Sequence, residues 1–527
     1  MELSQTRLRD QRFAVAALAA MAIAAGQARG QSLETARAID LKSAVPNDVH
    51  LAVYGKHNPE RDYQRAYLAD VWQTVQDERI LQRVWESVTS RMPEAQLEQA
   101  QAIWDEIATA AAPMDCKAIV SANQFVYAQM MEGVFNHHLL IFQVDLKTAD
   151  GAQLAFEQLA ELIRLKSNEK LEFQTSELGD ARRMVLDLDT PPQLPVRPTA
   201  IRFEDVLILC TNEDLALQSL ALMQSGDGES KFDDPRFQQA LAQLPTPEDA
   251  LVIFDGRRMF NEMRGIGDFI RSQGGDNENA ERFANVFQQC IDQIAFLDYE
   301  VSVEYTEGDS NKTEAYGKLT EESSDSWLRK ALTQGEPFED WQGWIPADAE
   351  GFSLTTGINL HEVYQGVIQL IRNEIPAARE PLDRWEEIQE QIGVHVDRDI
   401  LQAFSGKSVS ITLPSESADG SIAQQSVTAL ECNDAEGIRD LLHRAVDGLA
   451  AIPAAQAQQI ALEPCEDLEG FEELQAASFA MFGAKPVVGF HDGWMMLGSS
   501  SEAVERVLAV LSGDAESIAG AESLNQF

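Results

Sequence analysis

The stretch that decides the fold occurs twice. Residues 201–227 read IRFEDVLILCTNEDLALQSLALMQSGD, and residues 488–514 read VGFHDGWMMLGSSSEAVERVLAVLSGD. They align without a gap at an offset of 287. Phe203/Phe490, Asp205/Asp492, Ala216/Ala503 and Ser225-Gly-Asp227/Ser512-Gly-Asp514 are identical, and Glu229/Glu516 and Ser230/Ser517 extend the match. That is eight identities in thirty positions, where ordinary composition gives about two. The physics of the unit is legible in each copy. An apolar strand runs into a tight turn at Glu204-Asp205 or His491-Asp492-Gly493, since glycine accepts positive φ between apolar runs. A second strand follows, Val206–Cys210 or Trp494–Leu497. Ser499 with Glu502 reads as a capping box, and Thr211 or Asn212 as the cap in the first copy. Val504, Val507, Leu508 and Leu511 form one helical face. Gly226 and Gly513 supply left-handed stops.

Working outward, weaker matches keep the same order. Val45-Pro46-Asn-Asp48 corresponds to Ile345-Pro346-Ala-Asp348, Lys117-Ala-Ile-Val-Ser to Lys407-Ser-Val-Ser-Ile, and Trp104-Asp-Glu-Ile107 to Trp385-Glu-Glu-Ile388. Collinear matches with a slowly drifting offset near 290 residues read as a tandem domain duplication, far too long a period for a solenoid. Strand-like runs occupy Ala118–Val126, Leu139–Asp145, Met184–Leu188 and Leu251–Phe254. A helix covers about Gly151–Leu165, and helices dominate from about Glu60 to Ala112. Ile294–Tyr305 and Thr313–Leu319 flank a polar turn at Gly308-Asp309-Ser310-Asn311. Many strands joined by tight turns give an α+β class with largely antiparallel sheets and packed helices. The domains read as a signal peptide over 1–30, a first α+β copy over 31–340 with a linker near Gln334–Asp340, and a second copy over 341–527. After Asp514 only thirteen residues remain. The second copy therefore lacks counterparts of one strand and one hairpin. An open sheet edge and a poorly packed tail after Gly513 are expected there.

The amino terminus reads as an export signal. Arg7, Arg9 and Arg12 precede an uninterrupted apolar run, Phe13–Ala25. Thirteen residues are too few for a membrane span, and small residues follow at Gly26, Ala28 and Gly30. Cleavage after Ala28 or Gly30 places the mature chain in the periplasm or outside the cell, with no integral span. The 527 residues carry 41 Lys+Arg against 86 Asp+Glu, a net charge of −45. Such a chain repels phosphate backbones and anionic lipid heads, so nucleic acid is not a partner.

The Pro-x-Asp opening strand, the repeated Phe-x-Asp hairpin with its capped helix and Ser-Gly-Asp stop, Lys231-Phe-Asp-Asp-Pro-Arg-Phe237 and Leu251-Val-Ile-Phe-Asp255 together resemble one family. It is a family of exported bacterial proteins of unknown function, whose α+β domains open on "Pro-Ala-Asp-Thr"-type strands. Asn47 replaces the usual alanine, and neither copy has the threonine. The resemblance implies export and tandem α+β copies. It carries no catalytic residues across.

Common chemical signatures are missing. There is no P-loop, no GxSxG elbow and no CxxCH. His361-Glu362 opens like a zincin helix but lacks the histidine at the i+4 position that zinc needs. His137-His138 starts a strand, so the two rings alternate across a sheet. Should a metal be held, His137, His138 and His361 are the first suspects. The acidic loops Asp227–Asp234 and Asp276–Asn279 miss the EF-hand spacing. Glu386-Glu387 and Asp187-x-Asp189 are carboxylate pairs of the kind an acidic chain produces without function. Trp72, Trp85 and Trp104 with Tyr63 and Tyr67 form an aromatic helical stripe, read as core or as a partner groove. Cys116, Cys210, Cys290, Cys432 and Cys465 are odd in number. Cys210 reads as a buried thiol, and a Cys432–Cys465 disulfide is geometrically open. No catalytic, cofactor-binding or metal-binding residue is therefore assigned, and no cofactor. The chain reads as an exported cell-envelope protein of unknown function that binds or organises a protein partner. An envelope hydrolase with a carboxylate-based site, or a small-molecule-binding protein using the cleft between copies, are the alternatives.

Overall fold

The computed structural model describes residues 39–57, 73–74, 83, 94–120, 122–167, 171–188, 196–226, 228–247, 249–275, 277–307, 310–321, 325–333, 335, 338–414, 425–451, 460–476, 479 and 485–520. The export segment, all of the aromatic stripe except Trp104, and Asp189 lie outside them. The chain forms two compact units. One holds residues up to 275 together with 297–320, the other 276–296 together with 321 onward.

The first unit is built on ten antiparallel strands. They are β1 (Leu51–Lys56), β2 (Gln124–Glu132), β3 (Phe135–Gln143), β4 (Leu171–Leu178), β5 (Ala181–Leu188), β6 (Thr199–Phe203), β7 (Val206–Cys210), β8 (Ala250–Phe254), β9 (Leu297–Glu307) and β10 (Ser310–Leu319). Their order in the sheet is β10-β9-β8-β1-β2-β3-β7-β6-β5-β4. Period-two alternation puts Ile141, Val206 and Ile208 on one face and Leu207 on the other. The first face packs helix α4 (Glu213–Ser225) through Leu215, Ala216 and Leu220. The opposite face packs α2 (Cys116–Val120) and α3 (Leu146–Lys166) through Cys116, Ala149, Ala152 and Ala155. Helix α1 (Glu94–Ala111) lies on α3 through Ala110, Ala111 and Leu159. The class is α+β, with a sheet clad in helices on both faces.

The second unit repeats the arrangement with seven strands. They are β11 (Gly351–Thr356), β12 (Phe404–Leu413), β13 (Gln425–Cys432), β14 (Ala461–Pro464), β15 (Phe471–Gln475), β16 (Val487–His491) and β17 (Trp494–Gly498). Their order is β11-β12-β13-β17-β16-β15-β14. Position by position this is the order from β1 to β4, and among the described residues no strand stands in the places of β8, β9 and β10. Two backbone bonds recur as well. His50 N–H donates to Gln129 O at 2.9 Å, and Glu350 N–H to Thr412 O at 3.0 Å. Lys231 N–H donates to Val45 O, and Ile518 N–H to Ile345 O, each at 2.8 Å.

Several details differ from the sequence reading. Ser500, not Ser499, caps the helix over Ser501–Ser512, accepting from Ala503 N–H. The Ser499 hydroxyl instead accepts from Ser426 N–H in the neighbouring strand. Asn212 is the first-copy cap. The two hairpins are one residue out of register with the gapless alignment. Phe203 pairs with Val206 beside its turn, whereas His491 holds that place in the second hairpin and pairs with Trp494. The centre at Asp492-Gly493, φ 46° and 83°, draws the turn to itself. A one-residue slip flips a strand's faces. Phe203 accordingly joins the main core, and Phe490 packs on the opposite face beside Ile438 and Met495. The Lys117/Lys407 match also fails. Lys117 sits in α2, started by the Asp115 carboxylate accepting from Ala118 N–H, while Lys407 sits in β12. The run read as one strand over Ala118–Val126 is therefore a helix followed by β2. Trp104 and Trp385 both lie in helices, α1 and α10 (Arg379–Ile392).

The described part of the tail after Gly513, up to Gly520, is tied down through Ser517 and Ile518, by the bond above and a bridge to Pro346; residues 521–527 lie outside the described residues. Two long helices follow β8: α6 (Gly256–Gly274), given no element in the sequence reading, and α7 (Glu278–Ile294), which takes in Ile294 from the run read as strand over Ile294–Tyr305. Helix α7 belongs to the second unit, with α8 (Trp327–Thr333) and α9 (Leu360–Glu374). Asn277, read as part of an acidic loop, caps α7.

All five cysteines are thiols. Cys432 lies on β13 and Cys465 just beyond β14, four strand spacings away in the sheet order. That is about 19 Å, and a disulfide needs Cα atoms within about 7 Å. Burial pushes the Cys210 thiol up to about 12. Cys290 alone is exposed. Alkylation of the native protein should therefore mark Cys290 first, with Cys116, Cys210 and Cys465 reacting only after unfolding. Peptide masses read the order directly; Cys210 reacting as fast as Cys290 would contradict the burial.

Candidate functional site

A cavity of about 680 Å³ lies in the first unit. It lies where three chain segments meet: the opening loop before β1, the connection between α4 and α5 (Pro235–Leu241), and the junction of β8 with α6. Each segment delivers charge for a local reason. Lys231 is carried in on a short turn fixed by its bond to Val45 O, and Asp234 and Asp255 are helix caps, accepting from Arg236 N–H and Arg258 N–H. Arg257 and Arg258 follow as the first turn of α6.

The centre is a buried ion pair. Lys231 Nζ donates to Asp255 Oδ2 at 2.7 Å, and both side chains are 3% exposed. Lys231 also donates to Asn47 O at 3.3 Å, and Arg236 reaches the same Asp255 oxygen at 2.8 Å. Arg236 further clamps Asp234 at 2.8 Å. Phe237, fully buried, lies under both cations, 5.2 Å from Lys231 and 5.0 Å from Arg236. Around this centre Arg257 grips Asp298 at 3.0 Å. Arg258 pairs with Asp48 at 3.1 Å and Glu262 at 2.9 Å. His50 lies 3.7 Å from Glu262.

The electrostatics follow from burial and pairing. Burial pushes the Asp255 carboxyl up, but Lys231 and Arg236 outweigh it and hold it below the usual carboxylate range. Burial also pulls the Lys231 ammonium below the usual lysine range, with Asp255 opposing. Burial works against Asp234's charge too, and Arg236 overcomes it, so that carboxyl is lowered as well. A carboxylate held this way is a weak base and gives up its hydrogen-bonding capacity to the clamp.

The residues singled out from sequence are scattered. His137 is buried beside Glu132 at 3.4 Å, and burial lowers its pKa; His138 is on the other face, 3.0 Å from the Tyr127 hydroxyl. His361 sits 3.2 Å from Gln402 beside a cavity of about 280 Å³ in the second unit, lined by Asn359, Gln402, Ser405 and Asn433. Glu386 is exposed and paired with Arg372 at 2.6 Å. Among the described residues no three His, Cys, Asp or Glu side chains converge as a metal site would require. The Lys231–Asp255 pair went unread in the sequence, although both of its segments stood out as Lys231–Phe237 and Leu251–Asp255. Lysine and aspartate 24 residues apart carry no spacing signal until β8 lies beside β1. In the second unit Ile518 takes the place of Lys231, and no described residue takes that of Asp255. Compared with known proteins, the chain matches no family model, no curated protein and no solved structure.

Proposed function

We propose that this chain is an exported protein of the bacterial cell envelope, periplasmic or secreted, that binds a protein partner and performs no catalysis of its own. The observation that carries the reading is the state of three acids around the cavity of the first unit. Asp234, Asp255 and Glu262 are each clamped by arginine or lysine, which suits a rigid scaffold and ill suits proton transfer. Export is supported by the arginines and apolar run of residues 7–25. No helix among the described residues is long and apolar enough to cross a membrane. The common strand order and the recurring backbone bonds support an origin of the two units by duplication. The size of the cavity favours a second reading, a polar small molecule of balanced charge held in the first unit.

Intact-mass measurement on protein from the envelope fraction should show a chain starting at Arg29 or Gln31. A cytoplasmic chain starting at Met1 would overturn export. Turnover of envelope glycan or ester substrates that disappears in Asp255→Asn would overturn the non-catalytic half.

A further inference from the structure

Each sheet has two edge strands, and three of the four are guarded. β10 carries Lys312, Glu314 and Lys318, β4 carries Glu172 and Glu177, and β14 carries Glu463 and Pro464. Charge and proline on an edge discourage pairing with other chains. β11 reads Gly351-Phe-Ser-Leu-Thr-Thr356 and has neither. In the first sheet the corresponding strand, β1, is covered on this side by β8. There Asp255 N–H donates to His50 O and Lys56 N–H to Asp249 O, so the even-numbered residues of β1 face β8. The recurring bonds of Glu350 and Ile518 fix the correspondence at an offset of 300. Phe352 and Leu354 therefore turn their backbone groups outward, and among the described residues no strand pairs there. The side chains agree. Ala52 is fully buried in the first sheet, whereas Phe352 at the matching place is 40% exposed.

We propose that β11 is a docking edge that takes an extended segment of another protein as an added antiparallel strand, apolar at alternate positions and followed at its C-terminal end by arginine or lysine. This deepens, and rests on, the reading of the chain as a partner-binding protein. The first sheet displays the chemistry of such an occupant. β8 places Leu251 and Ile253 on the core face and is followed by Arg257 and Arg258, the latter paired with Asp48 at 3.1 Å. Antiparallel entry beside β11 brings the incoming strand's C-terminal end to exposed Glu350, next to Asp348, which Arg506 already holds at 2.5 Å. A basic end also complements a chain of net charge −45. A second copy of this chain fits badly, because two such charges must be brought together over a six-residue strand.

The test uses a fluorescent peptide of residues 249–258, Asp-Ala-Leu-Val-Ile-Phe-Asp-Gly-Arg-Arg, with the full mature chain. The Phe352 and Leu354 amides should exchange rapidly in the free protein and become protected with peptide. Methylating the peptide nitrogens at positions 251 and 253 removes the donors facing β11 and should weaken binding at least about tenfold. Methylation at 252 faces away and should leave binding unchanged. Replacing the two arginines by glutamate should weaken binding at low salt. These peptide changes leave the folding of the protein untouched. The proposal fails if the two amides are already protected in the free monomer, if methylation at 251 and 253 has no effect, or if no peptide binds. It also fails if Phe352→Pro abolishes a dimer seen by sedimentation, which would assign the edge to a second copy. Failure here alongside an authentic partner that binds elsewhere would sink this site and leave the partner-binding reading standing.

Discussion

Asp255→Ala should destabilise the first unit by about 4–5 kcal/mol, because it strands a buried ammonium and uncaps α6 at once. Removing one member of a buried ion pair costs about 3–5 kcal/mol, and losing a helix cap about 1. Lys231 is 3% exposed and has only Asn47 O as another acceptor. Arg236 keeps Asp234 and loses less. Asp255→Asn retains a cap oxygen and should cost less than alanine. Lys231→Met/Asp255→Asn should be less damaging than the sum of its parts, since the second change removes a partner already lost. The sign with pH follows from Asp255's lowered pKa. Its contribution is present above the ordinary carboxylate value of about 4 and is lost as pH falls through the native value. The difference between wild type and Asp255→Asn should therefore shrink in acid. Urea midpoints read by hydrogen exchange of β8 measure all five proteins, with Lys231→Met included as the second single variant. Equal stability of wild type and Asp255→Ala would show that the pair contributes nothing.

How much of this was legible in the sequence depends on the distance over which the signal acts. Hairpins, caps and glycine stops are local, and the paired units at 201–227 and 488–514 came through as hairpin followed by helix. Strand order is not local. It is set by which segments meet across the sheet, and the sequence reading did not address it. Lys117 against Lys407 was chance similarity between a helix and a strand. Register was lost for a physical reason: Asp492-Gly493 sets its own turn and shifts Phe490 to the other face. Helices α6 and α7 carry a local signal that the sequence reading passed over, since Met259, Phe260, Met263, Ile266 and Ile270, and Phe283, Phe287, Ile291 and Ile294, recur at helical spacing. The ion-paired centre was invisible because it is assembled by β8 and β1, neighbours in the sheet but about 200 residues apart in the chain.

Trp494→Ala should have the matching effect in the second unit, about 4–5 kcal/mol. Trp494 is 8% exposed at the start of β17. Its ring lies 4.5 Å from Trp344 and is stacked 5.4 Å from Phe338, with Phe338 and Trp344 6.3 Å apart. Truncating a buried tryptophan costs about 3–5 kcal/mol, and each aromatic pair adds about 0.5–1.5. One of the three, Phe338, comes from the stretch Gln334–Asp340 that reads as a linker. Phe338 follows Gln334 in a polar run, yet its ring fills the core because Trp494 offers a flat partner. The trio also fixes the chain that leads into β11. Loosening Phe338 and Trp344 frees residues 338–350 and with them Ile345, whose carbonyl holds Ile518. Trp494→Phe keeps a ring in place and should recover most of the loss, while Trp344→Ala, half-buried, should cost less. Hydrogen exchange of the β12–β13 ladder, whose strand β13 pairs with β17 at Glu431 and Trp494, reports the unit's global stability. Exchange at Ile518 reports the local tie. If Ile518 stays protected in Trp494→Ala while the ladder is weakened, the aromatic trio does not hold the lead-in to β11, and that edge is positioned by the Ile345–Ile518 bond alone.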